Sequence, residues 1–163
     1  MSFKGEDKAQ ENASVKNIGS FLRELSKRQP KLMYQNISAL LTFFECESYL
    51  LRQAIIKILA NVVQHVLSTE GQEEERDTHT RVVYTQTKEK FLEILLRRFQ
   101  DKSAFCRSKV MKSFCRLIEA NVLPINKYPE LLERTIGRLR DQTVNVRKNA
   151  LKLLQQIVLI YTF

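Results

Sequence analysis

A chain of 163 residues that is 44% hydrophobic and 28% charged has the composition of a folded, water-soluble protein, not a disordered one. It is long enough for one compact domain or a short array of repeats. Its formal net charge is +9, and no apolar run approaches the roughly 18–20 residues of a membrane span. Membrane-spanning classes are therefore set aside, and a polyanionic partner, nucleic acid first, is the natural expectation.

The scarcity of Gly (4) and Pro (3) predicts long helices with short connections. Residues 1–13 are polar, with no apolar segment of the kind a secretory signal needs, and read as a disordered tail. Val15, Ile18, Phe21, Leu22 and Leu25 then fall on one helix face ahead of Pro30. This stretch, 14–29, reads as the second helix of a partial repeat. Residues 31–68 follow as the first full repeat. Its first helix carries Ile37, Leu41 and Phe44, and its second is "SYLLRQAIIKILANVV". Residues 69–83, with the run "EGQEEERD", read as an acidic inserted loop.

The next repeat, 84–121, has the same layout. Leu92, Leu96 and Phe99 lie at i, i+4, i+7 on its first helix, and "DKSAFCRSKVMKSF" begins its second. Forty residues on, in the repeat 126–160, Leu132, Ile136 and Leu139 precede "DQTVNVRKNALKLL". Asp101 matches Asp141, Arg107 matches Arg147 and Lys112 matches Lys152. With an offset of 55, which absorbs the loop, Arg52 matches Arg107 and Lys57 matches Lys112. Two helices per unit at a period near forty predict an all-α, right-handed solenoid of HEAT or armadillo type, with HEAT the better fit. One helix pair cannot bury its apolar stripe alone, whereas stacked pairs can.

Arg52, Asp101, Arg107, Asp141 and Arg147 are read as stack-forming. Aspartate sits in the turn and arginine in the first turn of the following helix, where the two can bridge units. Ser103 and Thr143 are placed to cap the second helices. The equivalent of the aspartate in the first full unit is Cys46, flanked by Glu45 and Glu47.

The core of the second helices is expected at Val110, Phe114 and Ile118, and at Ala150, Leu154 and Val158. Opposite this stripe lie Lys109, Lys112 and Arg116, with Lys57, Lys148 and Lys152 on the neighbouring units. Arg97, Arg98, Arg138 and Arg140 make a second basic row near the inter-helix turns. The half from Tyr84 to Phe163 holds 16 Lys/Arg against 7 Asp/Glu, so the positive field belongs to these units. A lysine column would suit a phosphate backbone or an acidic peptide. Alternatively, these long side chains only cover helix flanks and solubilise them.

Catalytic and metal chemistry finds no foothold. Two histidines, His65 and His79, and three cysteines, Cys46, Cys106 and Cys115, have no zinc or disulfide spacing. The cysteines read as buried free thiols in a reducing, intracellular setting. No Gly-rich phosphate loop, GxSxG or HExxH is present. A base-excising repair solenoid would need an aromatic, carboxylate-bearing pocket, and the chain has no Trp. Neither an enzyme nor a cofactor is expected.

The strings "FLRELSKRQPKLMYQNISALLTFFECESYLLRQAIIKILANVV" and "FCRSKVMKSFCRLIEANVLPINKYPELLERTIGRLRDQTVNVRKNALKLLQQIV" resemble the HEAT-repeat core of the condensin complex subunit 1 family. This is the larger non-SMC regulatory subunit, and the resemblance covers about residues 15–160. "ESYLLRQAI", the "LP" before a short first helix and "GRLRDQTVNVRKNALKLL" are its specific parts. The resemblance implies a scaffold with kleisin and SMC partners and a grip on DNA or chromatin during mitotic chromosome condensation. It also implies a nuclear, chromosomal location, with neither a membrane nor a small-molecule substrate. The alternative is a HEAT adaptor of another pathway, nuclear transport or a vesicle coat, that binds acidic or helical peptides. The family's solenoids are long, so both ends of this chain are expected to expose apolar faces. Either it is an internal piece or partners cover them.

Overall fold

The computed structural model describes residues 3–66 and 78–161. Among the described residues eight α-helices follow in order: α1 (Phe3–Arg28), α2 (Pro30–Gln35), α3 (Ile37–Leu41), α4 (Tyr49–His65), α5 (Thr78–Arg97), α6 (Ala104–Glu119), α7 (Tyr128–Arg138) and α8 (Val144–Tyr161). Short 3-10 turns lie at Thr42–Glu45, Arg98–Gln100 and Ile125–Lys127. Among the described residues there is no strand.

The breaks have local causes. Pro30 sits at the start of α2 and Pro129 in the first turn of α7, where a missing N–H costs nothing. Asn36, at φ −108° and ψ 8°, parts α2 from α3. The first helix of the first full unit is therefore two short helices and a turn. It still buries Ile37 and Phe44 on one side. α6 ends on Asn121, whose φ of 53° is left-handed. The Asn121 amide donates to Ile118 (2.9 Å) and the Val122 amide to Leu117 (3.1 Å). This closure satisfies the last carbonyls and turns Val122 and Leu123 inward, where both are buried.

α1, α4, α6 and α8 lie side by side in that order, each packed on the next. α2, α5 and α7 form the other layer, with α2 and α5 against α4 and α7 against α8. This is an all-α solenoid of helix pairs. The core runs between the layers without a gap. It includes Ile55, Ile58, Leu59 and Val62 of α4, then Leu92, Leu95 and Leu96 of α5. Phe99, Val110, Met111, Phe114 and Leu117 continue it, and Leu131, Val146, Leu153 and Ile157 close it. Phe99 and Phe114 meet at 5.7 Å between ring centroids. Each such side chain contributes about 1.5–3 kcal/mol on burial.

Several details differ from the expectation. α1 begins at Phe3, so helix runs through most of the stretch read as a tail. α5 begins at Thr78 and takes in the end of the expected acidic loop. The rest of that loop, up to residue 77, lies outside the described residues. Val158, expected in the core, and Ile136, placed on the apolar face of its helix, are half-exposed. On α7 the buried positions are Tyr128, Leu131 and Thr135.

Candidate nucleic-acid interface

The side chains that join the layers define what is left for a ligand. Arg52 sets its Nε and Nη2 on the two carboxylate oxygens of Asp101, both at 3.0 Å. Its Nη1 donates to the carbonyls of Cys46 (2.7 Å) and Glu47 (3.0 Å). One layer further, Arg107 repeats the fork on Asp141 at 2.8 and 2.9 Å. Its Nη1 rests on the carbonyls of Asp101 (2.8 Å) and Lys102 (3.3 Å). Each arginine thus holds the turn of its own unit and the aspartate of the next. Each aspartate also accepts an amide from its own turn, Ser103 to Asp101 at 2.8 Å and Thr143 to Asp141 at 3.0 Å.

Asp101 is drawn upward by burial, but Arg52, the Ser103 amide and the nearby Arg98 outweigh that and hold its carboxyl below the ordinary range. Asp141 is lowered first by its bonds from Arg107. The carboxylate, not the serine, closes the turn at α6, since the Ser103 side chain makes no cap bond. The Ser48 hydroxyl does cap α4, accepting from Leu51 at 3.4 Å.

The basic residues divide into engaged and available sets. Arg98 stands 4.7 Å over the ring of Phe44 and 3.8 Å from Glu45. Arg138 lies 3.4 Å from Asp141. Arg116 donates to Asn61 (3.1 Å) and Gln64 (3.0 Å). The amide of Asn61 reaches on to Ser26 of α1 at 2.8 Å, so one polar chain ties α1, α4 and α6 together. Burial disfavours the charge on Arg116, and its Nη1 is buried without a partner. These three arginines belong mainly to the stack.

Lys112, Lys148 and Lys152 are exposed on α6 and α8, and Lys57 is half-buried on α4. Arg97 and Arg140 are exposed beside the turns. Lys109 is half-buried. Its pKa is lowered first by burial, then by the charges of Arg23 and Lys112. Among the described residues no carboxylate pairs with Lys109 or Lys112. Arg23 of α1 was not among the basic residues singled out from sequence. The partial unit offers no aspartate and arginine with which to set its register against the others. What could have found it is the helix period itself, which carries Arg23 one turn before Ser26 on the face that meets α4. Like charges drawn from α1 and α6 favour an anion, whether a phosphate backbone or an acidic peptide.

Among the described residues no group of histidines, cysteines and carboxylates could hold a metal ion. Cys106 and Cys115 are buried thiols, pushed up to about 11, chiefly by burial.

No family model matches the chain. It is 37% identical over 144 residues to the condensin-1 complex subunit CAP-D2 of Arabidopsis thaliana, a match covering 88% of this chain and 10% of that protein. It is 32% identical over 146 residues to condensin complex subunit 1 of Mus musculus, covering 90% of this chain and 10% of that protein. Against condensin complex subunit 1 of Schizosaccharomyces pombe it is 32% identical over 148 residues, covering 91% and 12%. The chain spans about a tenth of the length of the curated relatives it matches.

Proposed function

Over the stretch it shares with them the chain is a homologue of the condensin complex subunit 1 proteins, and on that premise we propose that it is a non-catalytic scaffold segment of a condensin-like complex. Its role is in mitotic chromosome condensation on chromosomes in the nucleus. It bears on kleisin and SMC partners, and it lays the row of α1, α4, α6 and α8 against the phosphate backbone of duplex DNA. The observation that carries the DNA reading is Lys109, half-buried beside Arg23 and Lys112 with no carboxylate among the described residues to pair with it. A half-buried cation in the field of two others is disfavoured in the free protein. That cost falls when a polyanion supplies the missing charge.

Salt-dependent titration with duplex DNA tests this. Sequence-independent binding that weakens steeply between about 50 and 200 mM salt is expected, because each phosphate contact adds roughly 0.9 to the slope of log K against log salt. Charge reversal at Lys57, Lys112 and Lys152 should lower both affinity and slope. If affinity and slope stay unchanged, the lysines are solvated flank and the DNA reading falls. Capture by a kleisin fragment tests the scaffold half separately.

A further inference from the structure

Two grooves open along the edge where first helices turn into second helices, and they are one feature repeated. The first is bounded by Phe44, Glu45 and Cys46 of one unit and by Arg97, Arg98 and Gln100 of the next, and encloses about 290 Å³. The second is bounded by Phe99 and Gln100 of one unit and by Glu133, Gly137 and Arg138 of the next, and encloses about 320 Å³. The repeat offsets carry one groove onto the other. Phe44 falls on Phe99, Glu45 on Gln100, Arg97 on Gly137 and Arg98 on Arg138. Each groove thus has a buried phenylalanine from one layer and an arginine from the next.

Both grooves hold cations whose charge is only partly met. Arg98 stands over the Phe44 ring, and its Nε is buried without a partner. Its one ion-pair contact among the described residues is Glu45, at 3.8 Å and 86% exposed. Arg97 is exposed at the rim. In the second groove Arg138 reaches Asp141 only at 3.4 Å, and the lining acid, Glu133, is exposed. Gly137 keeps this groove open. Its φ is not positive, and a Cβ there would meet nothing within 4 Å. Neither the backbone nor close packing calls for a glycine, which weakens a helix. What it leaves is space.

We infer that this edge binds an extended acidic peptide of a partner, with carboxylate side chains at i and i+3 entering successive grooves to meet Arg98 and Arg138. The spacing carries the inference. Packed layers repeat at about 8–10 Å. A polyproline-type strand rises about 3.1 Å per residue with three residues per turn, so its i and i+3 side chains share a side about 9 Å apart. Acidic segments repel themselves into such extended forms. Guanidinium groups bind carboxylates through charge-assisted, directional bonds, and two linked carboxylates bind more tightly than either alone. Duplex DNA fits the edge less well, because a stiff duplex rides on the rims and sends no single group into a groove. The site is separate from the lysine row of the second helices, and the inference stands whether or not that row binds DNA.

Fluorescence anisotropy tests this with two labelled peptides of one composition. The probe repeats Glu-Pro-Ala, an extended chain with a carboxylate at every third residue. The control has its glutamates grouped together. The probe should bind about tenfold more tightly than the control. Gly137→Leu fills the second groove and should weaken the probe about tenfold, while Tm does not fall because helix propensity rises. Arg97→Glu, at the exposed rim of the first groove, should weaken it as well. Charge reversal at Lys57, Lys112 and Lys152, which tests the DNA face, should leave peptide binding unchanged. Equal affinity for the two peptides would overturn the inference, since charge alone would then account for binding. So would a probe that fails to bind at about 1 mM, or one that binds Gly137→Leu and Arg97→Glu as it binds the parent. Duplex DNA that displaces the probe and is itself weakened by Gly137→Leu would also overturn it, because the grooves would then belong to nucleic acid.

Discussion

Asp101→Ala isolates the most deeply buried link between layers. The side chains of Arg52 and Asp101 are 3% and 2% exposed. Two bonds of 3.0 Å join them, and the carboxylate also holds the Ser103 amide at 2.8 Å. Removing the aspartate leaves a guanidinium buried with only its Nη1 edge satisfied, by the Cys46 and Glu47 carbonyls. Loss of one partner of a buried pair costs about 3–5 kcal/mol, and about 2–4 °C of Tm accompanies each kcal/mol in a chain of this size. A fall of roughly 6–20 °C is therefore expected on thermal unfolding followed by circular dichroism. The control is Glu47→Ala, which removes the 3.0 Å pair with Lys102, 94% and 61% exposed. Exposed pairs are worth about 0–1 kcal/mol, so Glu47→Ala should shift Tm by less than about 4 °C. Arg52→Met combined with Asp101→Leu should recover part of the loss, because no buried charge then stands alone. Equal effects of Asp101→Ala and Glu47→Ala would refute the reasoning, since burial would then have no bearing on the link.

Both aspartates have carboxyls held below the ordinary range in the folded state. The stability they add is full above the unfolded-chain value of about 3.9 and is lost as pH falls through the depressed folded values. Urea unfolding between about pH 5 and 2 should show that loss, and Asp141→Asn should flatten it. Lys109→Met should raise stability by about 0.5–1 kcal/mol while weakening DNA binding; weakened stability would mean that the ammonium has a partner in the fold. Cys106 and Cys115, buried and raised to about 11, should resist alkylation at neutral pH while the half-buried Cys46 reacts, read by mass spectrometry over time. Gly19 faces α4 so closely that a Cβ there would lie 3.1 Å from that of Ala54; Gly19→Leu should cost about 1–3 kcal/mol by overpacking.

The stack was legible because it is written in repeated characters. Asp101 and Asp141 stand at one turn position, Arg107 and Arg147 at one helix position, and the apolar stripes share a period. These are local signals that need no knowledge of neighbours. What sequence could not give is which copies of the stripe are covered. Leu154 and Val158 have the same pattern as Phe114 and Ile118, yet Phe114 is fully buried while Val158 is half-exposed. Burial is a property of the layer next door, not of the residue. The division of the arginines was hidden for the same reason. Arg116 and Lys109 lie seven apart on one helix and look alike on a helical wheel. Only packing reveals that Arg116 meets Asn61 and Gln64 of α4, whereas Lys109 is half-buried and feels the charges of Arg23 and Lys112. Asn61 itself reads as a polar flaw in an apolar helix until Ser26 and Arg116 are found on either side of it.

Spin labels test the architecture on which the DNA face depends. Lys57, Lys112 and Lys152 occupy equivalent positions on α4, α6 and α8, and packed helices lie about 8–10 Å apart. With nitroxides in place of pairs of these lysines, dipolar spectroscopy should give a separation for the 57/152 pair about twice that of the 57/112 and 112/152 pairs, near 20 Å. Three nearly equal separations would mean that the helices close on one another, and the account of a one-directional stack would be contradicted.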